Sequence, residues 1–174
     1  MQNLKKIAAG LAVLLIAIQL VPVQSSNPPV SGEPAMSPEV REVLTRSCFD
    51  CHSNRTVWPW YSKVAPLSWW IANHVNEGRE HLSFSTWDTL SAKDRAKAAE
   101  EIVDEVDEAK MPMASYVVGH PAAQLTDADR QVLIAWARGL GLESSLPSEG
   151  SGDADHDGGA RPEHADDWER HGAD

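Results

Sequence analysis

Two cysteines, three positions apart and followed at once by a histidine, set the strongest limit on this 174-residue chain. One loop of that length staples nothing, so Cys48 and Cys51 do not begin a disulfide framework. The chain has to close around its apolar side chains or around something it binds.

The two ends add little to such a core. Lys5 and Lys6 precede an almost unbroken apolar run over residues 7–23, interrupted by Gly10, Gln19 and Pro22. A basic start followed by an apolar run reads as a secretory signal. The run also approaches the ~18–20 residues that span a bilayer, so an uncleaved anchor fits equally well. Residues 1–26 are therefore expected to be a signal peptide or membrane anchor, with Lys5 and Lys6 on the cytoplasmic side and the rest of the chain periplasmic or otherwise extracytoplasmic. At the other end, residues 143–174 hold ten acidic residues against two arginines, which is −8 of the chain's net charge of −11. Ser, Gly, Asp and Glu dominate there, too polar to offset chain entropy, and an acidic disordered tail is expected. Asp153, Asp155 and Asp157 open like a calcium loop, but its twelfth position falls on His164 rather than Glu, so a solvated acidic run is the better reading. The remainder is mildly acidic and has no basic stripe, so nucleic acid is not expected as a partner.

Residues 27–142 then form one small all-α domain. Ser37, Pro38 and Glu39 give a cap, an N1 proline and a first-turn acid; Val40, Val43 and Leu44 follow on one face. A second helix is expected after Pro66, stopping near Gly78. A third starts at Ser91, where Asp94 completes a capping box, carries Ile102, Val103 and Val106, and is ended by Pro112. A fourth starts at Thr126 with Asp129 three places on, presents Leu133, Ile134, Trp136 and Ala137, and stops at Gly139 or Gly141. No run of alternating strand residues is present.

The sequence Cys48-Phe49-Asp50-Cys51-His52 is the C-x-x-C-H pattern of haem attachment. Two thiols at this spacing bond to the two vinyl groups on one porphyrin edge, and the next residue brings its imidazole under the iron. The other ring nitrogen then donates to a carbonyl, which orients the ring. Two rival readings are weaker. A thioredoxin-like dithiol wants a βαβ setting that is missing here. A zinc site would have to use the adjacent Cys51-His52 pair and a distant histidine. For a second axial ligand the candidates are Met111, Met113, His74, His81 and His120. Met111, beside Pro112, is favoured, with Met113 as runner-up; a Met thioether favours ferrous iron. Trp58, Trp60, Tyr61, Trp69 and Trp70 are expected to wall the porphyrin edge, and Arg55, Tyr61 or a Trp are candidate donors to a propionate.

These motifs resemble the bacterial haem-binding-domain family of c-type cytochromes. The likeness rests on Cys48-Phe49-Asp50-Cys51-His52-Ser53-Asn54, then Trp58-Pro59-Trp60-Tyr61-Ser62 and Ala65-Pro66-Leu67-Ser68-Trp69. Glu77-Gly78-Arg79, Leu82, Phe84, Ser85, Trp87, Met111-Pro112, Tyr116, His120-Pro121 and Leu133-Ile134-Ala135-Trp136 extend it over residues 27–141. The resemblance implies a mono-haem helical domain, exported and often anchored, with Met111 as distal ligand. Family members commonly read Met-Pro-Pro, whereas Met113 stands here in place of the second proline.

The expected function is electron transfer by one covalently held haem c, with His52 and Met111 on the iron and no substrate. The redox partner is not legible. The alternatives are a haem sensor or a peroxidase-like protein with a displaceable distal ligand; the single C-x-x-C-H argues against a two-haem peroxidase.

Overall fold

The computed structural model describes residues 1–145. Of the expected disordered tail over residues 143–174, residues 143–145 are helical, and the remainder, with its calcium-like loop, lies outside the described residues. Seven α-helices follow in order: α1 (Gln2–Ile18), α2 (Pro38–Ser47), α3 (Phe49–His52), α4 (Leu67–His81), α5 (Ala92–Asp107), α6 (Ala114–Gly119) and α7 (Asp127–Ser145). Short 3-10 turns at Trp60–Lys63, Trp87–Thr89 and Pro121–Ala123 join them. Among the described residues there is no strand, only an isolated bridge between Gly32 and Thr86.

Three helix starts follow from local chemistry. Ser37 Oγ accepts from Val40 N–H at 3.2 Å, and Pro38 occupies N1. Ser91 Oγ accepts from Asp94 N–H at 3.1 Å and donates to the Asp94 carboxylate at 2.7 Å. Asp129 N–H donates to Thr126 Oγ1 at 3.1 Å, and the Asp129 carboxylate accepts from Thr126 N–H at 2.8 Å. Each satisfies donors that a helix N-terminus leaves without intrahelical partners.

The core is where α2, α5 and α7 meet. Val40, Val43 and Leu44 from α2, Ile102 and Val106 from α5, and Leu133 and Ala137 from α7 are buried with Phe49, Phe84 and Leu125. Trp87 anchors a second cluster with Ala98, Ala99 and Leu140. The loop between α4 and α5 therefore supplies two of the largest buried side chains, Phe84 and Trp87.

Helix ends depart from expectation. α4 runs through Gly78 to His81, and α7 runs through Gly139 and Gly141 to Ser145. A Cβ at Gly141 would lie 3.6 Å from the Ala99 Cβ, so this glycine sits where α7 crosses close to α5. α6 was not foreseen; it is a single six-residue turn that buries no side chain. At the N-terminus, α1 ends at Ile18 rather than following the apolar run to residue 23. Gln19 grips the backbone of Ala65 from both sides, donating to its carbonyl at 3.1 Å and accepting from its N–H at 3.0 Å. No described helix is long and apolar enough to cross a membrane.

α5 stops before Pro112 for a different reason than the proline. Ala109 has φ 56°. Lys110 N–H bonds the Glu105 carbonyl at 3.0 Å and Ala109 N–H bonds the Val106 carbonyl at 3.2 Å. This is a Schellman termination with alanine where glycine is the usual residue. The left-handed conformation strains any residue with a Cβ. Ala109→Gly is expected to raise stability by about 0.5–1 kcal/mol, read as a melting temperature higher by a few degrees. An unchanged or lower melting temperature would show that Ala109 carries no strain.

Candidate functional site

α3 is one turn long, and its brevity presents the motif. Cys48 N–H bonds the Leu44 carbonyl at 2.9 Å, which continues α2 into the turn; His52 N–H bonds the Cys48 carbonyl at 2.9 Å, which closes it. Cys48, Cys51 and His52 thereby come together on one wall of a cavity of about 500 Å³. That volume lies within the ~300–1,000 Å³ range of small-molecule and cofactor sites. The opposite elements bring Met111, Met113 and Tyr116 to the same cavity. Leu44, Phe84, Ile102, Val106 and Leu133 line it too, so core and cavity share residues.

The His52 ring is held from α4. Its Nδ1 lies 2.9 Å from the Gly78 carbonyl and 3.1 Å from the Leu82 carbonyl. Carbonyl oxygens only accept, so Nδ1 carries the proton and Nε2 keeps its lone pair. Burial lowers the His52 pKa, against the opposing pull of the two carbonyls, and the ring is neutral. A neutral imidazole with Nδ1–H tied to backbone is the form that ligates a metal. Around it, Phe84 N–H bonds the His52 carbonyl at 2.8 Å, and Asn54 N–H bonds Ser85 Oγ at 2.8 Å. The Arg79 guanidinium spans Ser53 O at 2.9 Å, Ser26 O at 2.9 Å, Asn27 Oδ1 at 3.0 Å and Thr56 Oγ1 at 2.8 Å. In the sequence Arg79 stands out only as part of the Glu77-Gly78-Arg79 motif; its role as the clip that joins the linker to the attachment turn comes from the tertiary fold.

The cysteines are both free thiols. Burial first, then the neighbouring Cys51, pushes the Cys48 thiol up to about 12. Burial, then Asp50, pushes Cys51 up to about 11. Exchange-active dithiols need the opposite, a depressed pKa, so this environment disfavours a thioredoxin-like role. Among the described residues no group of three or more His, Cys, Asp or Glu is gathered to hold a bare metal ion, which leaves the zinc reading without a ligand set there.

The remaining candidates divide. His74 and His81 line the cavity from α4, and His81 is exposed. His74 Nδ1 is 2.8 Å from the Trp70 carbonyl of its own helix. His120 does not line this cavity; it faces a second, apolar one of about 350 Å³, stacked on Tyr116 with ring centres 4.2 Å apart. The aromatic run is not the wall expected of it. None of Trp58, Trp60, Tyr61, Trp69 or Trp70 lines the first cavity. Tyr61 and Trp70 border the second, Trp60 is 78% exposed, and Trp58 Nε1 donates to Asn27 Oδ1 at 3.2 Å. Arg55 is engaged by Glu33 at 2.8 Å. Met111 N–H bonds the Glu105 carbonyl at 3.0 Å, which fixes the methionine four residues past the end of α5.

Gly78 is the residue that lets α4 reach the motif. A Cβ there would stand 2.8 Å from the Cys51 carbonyl oxygen and 3.2 Å from the Cys51 carbonyl carbon, both backbone atoms that cannot swing away. Gly78→Ala is expected to force α4 off the turn and break the carbonyl bond to His52. Its readout is a lower yield of haem-loaded protein and a loss of roughly 1–3 kcal/mol in stability, the range for overpacking. A wild-type yield and melting temperature would mean that the close approach is dispensable.

No match to this chain was found among curated proteins or among solved structures. A family model described as a haem-binding domain matches residues 13–139, most of the chain and the whole of the cavity. A cavity walled by a C-x-x-C-H turn, a neutral and oriented imidazole and apolar core fits that family, and the chain belongs to the haem-binding domain family.

Proposed function

We propose that this protein is an extracytoplasmic electron carrier holding one haem c covalently through Cys48 and Cys51, with His52 and Met111 as axial ligands. The observation that carries the reading is the His52 ring: Nδ1–H is spent on two backbone carbonyls while Nε2 is free, and His52 lines one cavity with both thiols and Met111. When bound, the haem supplies a one-electron ferrous–ferric couple. The chain's part is to hold and shield it. Cys48 and Cys51 fix one porphyrin edge, and the Gly78 and Leu82 carbonyls hold the ligating ring. Leu44, Phe84, Ile102, Val106 and Leu133 keep water from the face. A filled sixth position leaves no place for substrate, so the protein is not proposed to be an enzyme. Lys5, Lys6 and the apolar run support export, with α1 as signal or anchor. A partner protein receives or delivers the electron; its identity lies beyond these residues.

One observation favours a second reading, a haem sensor whose distal ligand is displaceable. The distal segment is lightly built: α6 buries no side chain, and Met113 stands beside Met111 on the cavity wall.

Covalent attachment is tested by denaturing the holoprotein in acidified organic solvent. The haem is expected to stay with the chain in the wild type and to leave it, or never be incorporated, in Cys48→Ala and Cys51→Ala. Extraction of haem from the wild type would overturn the c-type reading. The distal ligand is tested with Met111→Ala and Met113→Ala. Met111→Ala should abolish the near-infrared sulfur-to-iron band of the oxidised protein, lower the midpoint potential and open ferrous iron to carbon monoxide. If Met113→Ala does so instead, the two methionines exchange roles; if neither does, the His/Met carrier is refuted.

A further inference from the structure

Asp50 occupies a variable position of the C-x-x-C-H motif, yet its carboxylate is fully used. One oxygen accepts from Val57 N–H at 2.8 Å, and the other accepts from the Tyr116 hydroxyl at 2.7 Å. Its backbone carbonyl takes a third bond, from Thr56 Oγ1 at 2.7 Å. Tyr116 belongs to α6, in the segment that carries both candidate distal methionines. The other bonds of that segment are local: Met111 N–H bonds the Glu105 carbonyl at 3.0 Å, Tyr116 N–H and Val117 N–H bond the Met113 carbonyl at 2.9 and 3.1 Å, His120 N–H returns to Tyr116 at 2.9 Å, and Ala123 N–H bonds the His120 carbonyl at 2.8 Å. Among the described residues, the Tyr116–Asp50 bond is the hydrogen bond that joins residues 112–120 to a distant part of the chain. Apolar packing adds little to it, since no α6 residue is more than partly buried.

The pair also has a particular position. Asp50 and Tyr116 each line both the cavity of about 500 Å³ and the second cavity of about 350 Å³. They stand at the boundary between the two. Tyr116 is half-buried, and burial followed by the Asp50 carboxylate raises its pKa, so the hydroxyl remains a donor.

We propose that the Tyr116–Asp50 hydrogen bond is a latch: it draws the methionine-bearing segment against the haem-attachment turn and closes the haem cavity from the second cavity. Tyr116 is a positioning residue in this scheme, acting on the iron only through the methionine it holds in place, and the inference rests on the reading that this segment supplies the distal ligand. The design uses the attachment motif twice, once to bond the haem from below and once to hold down the segment that covers it. A hydroxyl bonded to a charged acceptor is the stronger kind of hydrogen bond, and leaving that carboxylate unpaired in a half-buried place adds to the loss.

The test compares haem-loaded wild type, Tyr116→Phe, Asp50→Asn and the double variant. Tyr116→Phe keeps the ring and its stacking on His120 and removes only the donor. It is expected to speed carbon monoxide binding to the ferrous protein by about tenfold or more, the scale of one hydrogen bond to a charged group. It should also speed amide hydrogen exchange across residues 113–120. Asp50→Asn retains an acceptor and should have a smaller effect, and the double variant should match Tyr116→Phe rather than add to it. A lowered melting temperature with wild-type carbon monoxide kinetics and wild-type exchange in 113–120 would reduce the pair to ordinary packing and overturn the latch; so would additive effects in the double variant. Exchange is read without reference to the sixth ligand. If Met111→Ala and Met113→Ala both leave the sulfur–iron band in place while Tyr116→Phe still frees 113–120, the ligand assignment fails and the latch stands.

Discussion

The bond from the His52 ring to the end of α4 is the constraint from which the rest of the site follows. A helix leaves its last carbonyls without intrahelical partners, and these must find donors. Here the Gly78 carbonyl, which also accepts from Leu82 N–H at 2.9 Å, and the Leu82 carbonyl beyond the helix end both meet Nδ1. One interaction thus ties α4 to the attachment turn, selects the tautomer of the histidine and leaves its other ring nitrogen free on a residue that lines the cavity. It has a steric condition, because α4 can approach the Cys51 backbone only where it has no Cβ, at Gly78. It has a topological condition as well. The chain leaving α4 must turn back at once, which it does by bonding Phe84 N–H to the His52 carbonyl and by offering Ser85 Oγ to Asn54.

The two sides of the cavity are built to different standards. On the histidine side, α4, the attachment turn and the N-terminal linker are cross-tied by Arg79, Ser85 and Asn54, and Phe84 is 2% exposed. On the methionine side, the chain leaves α5 through a strained alanine, passes Met111 and Met113, and forms a turn whose long-range hydrogen bond, among the described residues, is Tyr116–Asp50. In the proposed His/Met arrangement, the ring ligand that must remain neutral and oriented has the stiffer mount, and the thioether that needs only to be kept within reach has the lighter one. Regions with few buried contacts open first, so opening is expected on the methionine side.

How much of this was legible depended on how local the signal was. Ser37-Pro38, Ser91/Asp94 and Thr126/Asp129 state their helix starts within four residues, and each start is found where read. The C-x-x-C-H motif is legible because it lies within five residues, and the bond from one His52 ring nitrogen to backbone carbonyl is found as expected. Glycines misled. Gly78, Gly139 and Gly141 read as stops, yet all three are helix interior, and Gly78 and Gly141 mark places where another segment comes close. No local rule separates those two uses of glycine. Conversely, α5 ends with no glycine at the left-handed position, so the sequence points to Pro112 as the terminator where the structure has Ala109. The aromatic run reads as a haem wall; Trp70 borders a different cavity and Trp60 is exposed, which the path of the chain from Trp58 to Trp70 decides. Tyr116–Asp50 spans 66 positions and left no trace in sequence pattern.

The cavity is not separate from the core of the domain. Leu44, Phe84, Ile102, Val106 and Leu133 are at once the centre of the apolar core and the lining of the cavity. The apolar faces of α2, α5 and α7 that hold the helices together are therefore the same faces that a haem bound there would meet. Haem binding in this family member and the packing of its core draw on one set of side chains, and a substitution that trims one of them weakens both.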